Sequence, residues 1–157
     1  MIEEIEEWIH HVNSSHYEVR QSCSVFQESF KGFYAPEFLN TAFFVVTDKI
    51  PKPDFPELRE AGIGDFIDMD VEGITYNDTY YVKEQAANEI WLHFHELVHV
   101  LQWRELTSPV FIERYIREIQ KFGYYNAPLE KMAYALDGHF QSKGRHLSVA
   151  EFVRENL

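Results

Sequence analysis

The length and composition of this chain suit a single folded domain. It has 157 residues, 45% of them hydrophobic and 16% aromatic, which provides enough apolar material for a core and argues against global disorder. The formal net charge of −12 argues against nucleic acid as a partner, because phosphate binding needs a surplus of Lys and Arg. The single cysteine, Cys23, excludes a disulfide within the chain and a multi-cysteine metal site.

The sequence also lacks targeting and membrane signals. Residues 1–7 do not have the basic start and apolar stretch of a signal peptide. No apolar run approaches the roughly 20 residues of a membrane-spanning helix. We therefore expect a cytoplasmic protein that does not insert into a membrane.

The first seventy residues contain two helical patterns and one strand pattern. The first helix is predicted by apolar residues at helical spacing, namely Ile2, Ile5, Ile9 and Val12. A second helix is predicted in the same way by Val19, Cys23, Phe26 and Phe30. The β-branched and aromatic run between Thr41 and Ile50 then predicts a buried strand, which Pro51 ends.

A β-hairpin is predicted next. Two segments rich in strand-forming residues, Gly73–Tyr76 and Thr79–Val82, flank the dipeptide Asn77-Asp78. Asn and Asp tolerate a positive φ better than most residues, as a two-residue turn requires. The outer strand of this hairpin could hold an extended peptide by edge pairing.

The rest of the chain is predicted to be helical. No helix breaker interrupts the segment after the hairpin, and capping signals mark the helices that follow it. The predicted boundaries are about Gln85 to Glu105, then Ser108-Pro109 to Gly123, then a start at Asn126–Pro128, and finally Ser148 with Glu151 as the capping box of a last short helix. Helices, a strand, a hairpin and further helices in this order are typical of an α+β fold.

The segment His95-Glu96-Leu97-Val98-His99 is the most informative in the chain. Histidines four residues apart lie on one face of a helix, with Cβ atoms about 5–6 Å apart, so both can reach one tetrahedral zinc ion. Glu96 lies about 100° around the helix from His95. It can therefore take a proton from a water molecule at the metal without being a ligand. The alternative is a chance match within a structural helix.

A catalytic zinc usually has three protein ligands, so a third is expected after His99. The candidates are Glu113, Glu118, Glu130, Asp137 and His139. Glu130 is favoured because it opens a later helix, which can pack against the first, and because Ala133 would allow close approach. The alternative role of Glu130 is an acidic residue that interacts with the helix dipole.

These residues resemble the gluzincin class of zinc metallopeptidases. The resemblance rests on His95-Glu-Leu-Val-His99-Val-Leu-Gln102 and on Pro128-Leu-Glu130-Lys-Met-Ala133-Tyr134, and it covers roughly Ile74 to Asp137. It is closest to small bacterial members of the class. It implies that His95, His99 and Glu130 bind one zinc ion per chain and that Glu96 is the general base. Thermolysin-like members carry Asp where this chain has Tyr134, so Asp137 is the candidate partner for a ligand histidine.

We expect a single compact domain over residues 1–157, α+β and zincin-like, the latter as the resemblance implies. In this domain a small mixed or antiparallel sheet precedes the active-site helix, and the C-terminal half is helical. The metal-site core is expected within residues 71–142, whereas residues 1–70 lie outside the resemblance. The resemblance does not extend to the three-histidine metzincin class, because no Gly follows His99 at the required spacing.

The function expected from these residues is hydrolysis of a peptide or protein substrate. Tyr134, one turn from Glu130, is the candidate to stabilise the developing negative charge on the carbonyl oxygen. Tyr124, Tyr125 and His139 are alternatives. Two other functions remain open: a zinc-binding regulatory or scaffold protein that has no turnover, and a helical protein with a coincidental motif.

Overall fold

The structure, a computed structural model that describes residues 1–157, is α+β, as the order of the predicted elements indicates. Helices surround one small mixed sheet. The helices are α1 (Ile2–Ser15), α2 (Pro36–Leu39), α3 (Pro56–Leu58), α4 (Gly64–Asp68), α5 (Ile90–Leu106), α6 (Ser108–Phe122), α7 (Pro128–Gln141) and α8 (Val149–Asn156). The strands are β1 (Gln21–Ser22), β2 (Phe43–Thr47), β3 (Gly73–Tyr76) and β4 (Thr79–Lys83).

The sheet has the strand order β1-β2-β4-β3. Strand β2 is antiparallel to β1 and parallel to β4, and β3 is antiparallel to β4. The predicted hairpin is therefore confirmed, and Asn77 in its turn has a φ of 60°. Strand β3 pairs only with β4, so it forms one edge of the sheet.

The second predicted helix, from Val19 to Phe30, is wrong. Gln21 and Ser22 instead pair with β2, and a short 3-10 helix follows over Cys23–Phe26. The Ser22 hydroxyl accepts a hydrogen bond from the backbone N–H of Ser24. This local bond stabilises a turn where the apolar spacing alone favours a helix, which is a common effect of serine.

The central helix is α5, which begins at Ile90 rather than near Gln85. A ring nitrogen of His93 lies 2.7 Å from the carbonyl oxygen of Ala87, and its other ring nitrogen lies 2.7 Å from the Tyr80 hydroxyl. Because the His93 ring occupies the Ala87 carbonyl, that carbonyl does not take part in a helical turn. All residues from Leu92 to Trp103 are buried, so α5 is enclosed on every side.

The helices after α5 begin and end close to the predicted positions. Helix α6 starts at Ser108, one residue before Pro109, which was predicted as its first residue. The residue before the helix, Thr107, has a φ of 71°. Gly123 ends α6 with a φ of 78°, a conformation that glycine adopts readily. The Ser148 hydroxyl caps α8 by accepting from the N–H of Glu151.

The hydrophobic core consists of two clusters that lie on the two sides of α5. One contains Phe94, Leu97 and Val98 with residues of α7 and α8. The other contains Trp103 together with Ile5 and Ile9 of α1 and residues of α6. The N-terminal helix thus packs on the part of the chain that carries the metal motif. None of the helices is both long and apolar enough to cross a membrane.

Candidate metal centre

Two packed helices bring His95, His99 and Glu130 together. His95 and His99 lie one turn apart on α5, and Glu130 lies in the first turn of α7. Helix α7 packs along α5, where Ala133 is fully buried in the same cluster as Leu97. A larger side chain at position 133 would separate the two helices. All three candidate ligands are themselves buried, with exposed fractions of 2%, 4% and 3%.

The donor atoms of these residues lie at the separations that a tetrahedral ion requires. The His95 Nε2 atom is 3.2 Å from His99 Nε2 and 3.1 Å from Glu130 Oε1, and His99 Nε2 is 3.2 Å from Glu130 Oε2. Ligand atoms about 2.0–2.1 Å from a tetrahedral zinc ion lie roughly 3.3 Å from one another. The buried group could therefore hold a metal ion.

The other ring nitrogen of each histidine is already bonded to a side chain. His95 Nδ1 lies 2.8 Å from Asp137 Oδ2, and His99 Nδ1 lies 2.7 Å from Gln102 Oε1. Both oxygens accept hydrogen bonds, so Nδ1 is the donor in each pair and Nε2 faces the centre of the group, where it offers a lone pair once its proton is replaced by a metal ion. Asp137 thus lies where the sequence predicted a partner for a ligand histidine.

The electrostatics of the group favour positive charge at its centre. Burial lowers the pKa of His95, but hydrogen bonds with Asp137 and Glu130 outweigh burial and raise it to about 10. Burial also opposes the charged form of His99, whereas the Glu130 carboxylate raises its pKa. Glu130 has a pKa well below the usual range, because the two imidazoles outweigh its burial. A divalent cation would supply the same positive charge as these protons.

Further side chains hold the candidate ligands in place. The Tyr115 hydroxyl on α6 donates a 2.6 Å hydrogen bond to Glu130 Oε2. Gln102 donates from Nε2 to the carbonyl oxygen of Leu129, which links α5 to the first turn of α7. Neither residue had a role predicted from the sequence, although Gln102 belongs to the segment on which the resemblance rests. Gln102 could have been found from its spacing three residues after His99, whereas nothing in the sequence connects Tyr115 to Glu130.

Glu96 lies beside the group without belonging to it. Thr75 on β3 donates a 2.9 Å hydrogen bond to Glu96 Oε1, and Glu96 is 3% exposed. Burial raises the pKa of Glu96, and the two histidines only partly oppose this effect. On β3, a Cβ atom added to Gly73 would lie 3.0 Å from Glu96 Oε2. The edge strand therefore both orients the carboxylate and leaves room for it.

The sequence offers four candidates for stabilising the carbonyl oxygen of a substrate, and Tyr134 is the one that packs against a ligand histidine. The ring centre of Tyr134 is 4.4 Å from that of His95, and burial raises the pKa of Tyr134 to about 12. Tyr124 and Tyr125 line the same open pocket as Tyr134, and Tyr125 is 66% exposed. A ring nitrogen of His139 lies 2.8 Å from the carbonyl oxygen of Arg145, and His139 does not line this pocket.

The other acidic candidates for the third ligand are engaged elsewhere. Glu118 accepts hydrogen bonds from Arg114 and from the backbone N–H of Leu129. Glu113 is exposed and lies near Arg117. Asp137 contacts His95 through the nitrogen that faces away from the group. Among the five candidates, Glu130 is the one whose oxygen atoms lie near both Nε2 atoms.

An open pocket lies beside His95 of this group. It has a volume of about 250 Å³ and is lined by His95, Glu96, Trp91 and the tyrosines 124, 125 and 134, among others.

Comparison with known proteins identifies no relative of this chain: no protein-family model, no curated protein and no solved structure matches it. The function of the site must therefore be inferred from its own side chains. These are the imidazoles of His95 and His99 and the carboxylate of Glu130, with the Glu96 carboxylate beside them.

Proposed function

We propose that this protein is a zinc-dependent hydrolase, and specifically a metallopeptidase of the gluzincin type with a zincin-like fold. The observation that carries the proposal is the set of 3.1–3.2 Å separations between His95 Nε2, His99 Nε2 and the Glu130 carboxylate. Structural side-chain hydrogen bonding does not need two imidazole lone pairs and a carboxylate to converge in this way, whereas a tetrahedral ion does.

Zinc is the proposed ion because of the chemistry of the donor set. Two neutral imidazoles and one carboxylate suit Zn²⁺ and leave a fourth tetrahedral position free for water or substrate. When bound, zinc would act as a Lewis acid and would make water acidic enough to attack a carbonyl carbon near neutral pH. One ion per chain is expected, because these three residues form the one buried group of metal-ligand type.

Glu96 is proposed as the general base. Its carboxylate is held by Thr75 on one side, so its second oxygen is available to take a proton from the attacking water. The same carboxylic acid would then protonate the leaving amine. The raised pKa of Glu96 supports the first step, because it makes the carboxylate a stronger base toward the attacking water.

The proposed substrate is an extended peptide that lies along strand β3. This strand is a sheet edge, Thr75 on it donates a hydrogen bond to Glu96, and Gly73 leaves room for the Glu96 carboxylate. Main-chain pairing with such an edge would place a peptide carbonyl close to the metal group. Tyr134 is proposed to donate to the carbonyl oxygen, since a phenol with a pKa of about 12 keeps its proton at neutral pH.

The test combines metal analysis with a peptidase assay. Purified protein is expected to contain about one zinc per chain and to cleave members of a mixed peptide library, with cleavage abolished by a chelator and restored by zinc. A protein that binds no transition metal at neutral pH would contradict the whole proposal. Stoichiometric zinc without cleavage of any peptide would instead favour a regulatory or scaffold protein.

A further inference from the structure

We infer that a cavity beside the metal group receives a leucine- or methionine-sized aliphatic side chain of the substrate, next to the bond that is cleaved. This inference rests on the proposed peptidase function and adds a specificity to it. The cavity is lined mainly by hydrophobic residues and has a volume of about 80 Å³. Glu96, His99 and Glu130 also line it, so it adjoins the candidate metal centre.

The cavity extends along one face of α5. Glu96, His99 and Trp103 all line it, at positions i, i+3 and i+7 of the helix. A rise of 1.5 Å per residue makes this face roughly 10 Å long. The opposite wall is α6, through residues that include Ile112 and Ile116. A side chain that enters beside the metal group can therefore extend away from it between the two helices.

The N-terminal part of the chain supplies much of the remaining wall. Ile5 and Ile9 of α1 line the cavity, as do Pro53, Leu58, Ile63 and Phe66. Ile9 and Leu58 are only 1% exposed, so these residues form a fixed wall rather than a loose cover. Residues 1–70, for which the sequence indicated no function, thus build part of a substrate pocket in this proposal.

The size and chemistry of the cavity select its occupant. A volume of about 80 Å³ is smaller than the roughly 150 Å³ of a dry cavity that binds benzene, so a phenyl ring would have to displace the wall. A charged side chain would lose its hydration in this apolar space without compensation. An aliphatic side chain of about four heavy atoms is smaller than a phenyl ring and has no charge to desolvate, so it suits this cavity best.

Trp103 lines this cavity and carries a polar group that an occupant could satisfy. Its indole N–H is buried and has no hydrogen-bond partner, the one such side-chain atom in the structure. A buried donor without an acceptor costs free energy. The sulfur of a methionine side chain is a weak acceptor that could satisfy this N–H, so methionine should bind at least as well as leucine.

Equilibrium binding to the zinc-loaded Glu96→Gln protein tests the inference without turnover. The probes are N-acetyl-Ala-Xaa and N-acetyl-Xaa-Ala amides, in which Xaa is Ala, Leu, Met or Phe, and binding is measured by calorimetry. For one of the two series we expect Leu and Met to bind about 10- to 100-fold more tightly than Ala. Phe should bind no better than Leu. Equal affinity for all four residues, or no binding at all, would overturn the inference.

Two substitutions at one half-buried position of the cavity wall sharpen this test. Ile116→Phe narrows the cavity and should remove the preference for Leu over Ala, whereas Ile116→Ala widens it and should improve the binding of the Phe probe. The matched control is Val110→Phe on the same helix, where the side chain is 48% exposed and does not line the cavity. A control that loses the preference as fully as Ile116→Phe would contradict the inference.

The pocket and the peptidase function can fail separately. If the unaltered protein cleaves peptides without preferring Leu or Met beside the cleaved bond, the specificity is wrong and the peptidase proposal stands. If the probes bind in the expected order but the unaltered protein cleaves no peptide, the pocket stands and the peptidase proposal is wrong.

Discussion

The Tyr115 hydroxyl donates a 2.6 Å hydrogen bond to Glu130 Oε2, so α6 orients a carboxylate that α7 carries. The bond fixes one carboxylate oxygen while the other faces His95 Nε2 at 3.1 Å. Three consecutive helices therefore determine the geometry of the metal group: α5 supplies the imidazoles, α7 the carboxylate and α6 its orientation.

Tyr115→Phe should weaken zinc binding by about 10- to 100-fold, the usual effect of losing a hydrogen bond to a ligand. Competition with a chromogenic chelator would measure the affinity. Tyr125→Phe is the matched control, because that side chain is 66% exposed and has no contact with Glu130. Unchanged zinc affinity in Tyr115→Phe would mean that this bond does not orient a metal ligand.

Glu96→Gln should retain one zinc per chain and lose at least about 100-fold in turnover, because the amide keeps the shape of the side chain but cannot take a proton. Metal content and peptide cleavage are measured on the same preparation. Glu89→Gln, at an exposed position just before α5, serves as the control. Loss of zinc in step with activity would instead identify Glu96 as a ligand.

Glu130→Ala should weaken zinc binding more than Asp137→Ala. The first change removes a metal–oxygen bond, whereas the second removes a partner of His95 and should cost about 10- to 100-fold in affinity. Zinc stabilises the folded state in proportion to its preference for the native site, so the unfolding midpoint of Glu130→Ala should respond least to added zinc. The opposite order would show that Glu130 is not the third ligand.

Gly73→Ala should reduce turnover while zinc content stays near one per chain. The new Cβ atom would lie 3.0 Å from Glu96 Oε2 and 3.2 Å from its Cδ, so the carboxylate must shift away from its position beside Thr75. Gly138→Ala in α7 is the control, since a Cβ there has no neighbouring atom within 4 Å. If both variants keep full activity, the close approach of β3 to Glu96 has no role in catalysis.

Cys23 should be inert to thiol reagents in the folded protein. Its side chain is fully buried, and burial raises the thiol pKa to about 12. Because the folded pKa lies above that of an unfolded cysteine, this group contributes stability below about pH 9 and loses that contribution as the pH rises toward 12. Labelling with a chromogenic disulfide reagent at pH 8 should be rapid only after denaturation. Equally rapid labelling of the native protein would contradict the buried position.

The local features of this protein could be predicted from its sequence. The helix that carries His95 and His99 follows from the absence of helix breakers and from apolar spacing, and four-residue spacing alone places both imidazoles on one face. The hairpin follows from two strand-forming segments around Asn77, whose positive φ the turn requires. These features depend on neighbouring residues, which is why a pattern of ten to twenty residues suffices to indicate them.

Local patterns failed where side chains from distant parts of the chain decide the conformation. Apolar spacing predicted a helix from Val19 to Phe30, but pairing of Gln21 and Ser22 with β2 made that segment part of the sheet. In the same way α5 begins at Ile90 because His93 bonds to the carbonyl of Ala87 and to the Tyr80 hydroxyl. Sheet pairing and buried hydrogen bonds outweigh intrinsic helix propensity in such places.

The metal group itself was decided by the tertiary structure. Spacing gave Glu130 little advantage over the other acidic residues, and its position near both Nε2 atoms results from the packing of α7 on α5. The contacts of Tyr115 with Glu130 and of Thr75 with Glu96, and the cavity that α1 helps to enclose, join residues that are 15 or more positions apart in sequence. A periodic pattern specifies which face of a helix is buried, but only the packed structure specifies what that face meets.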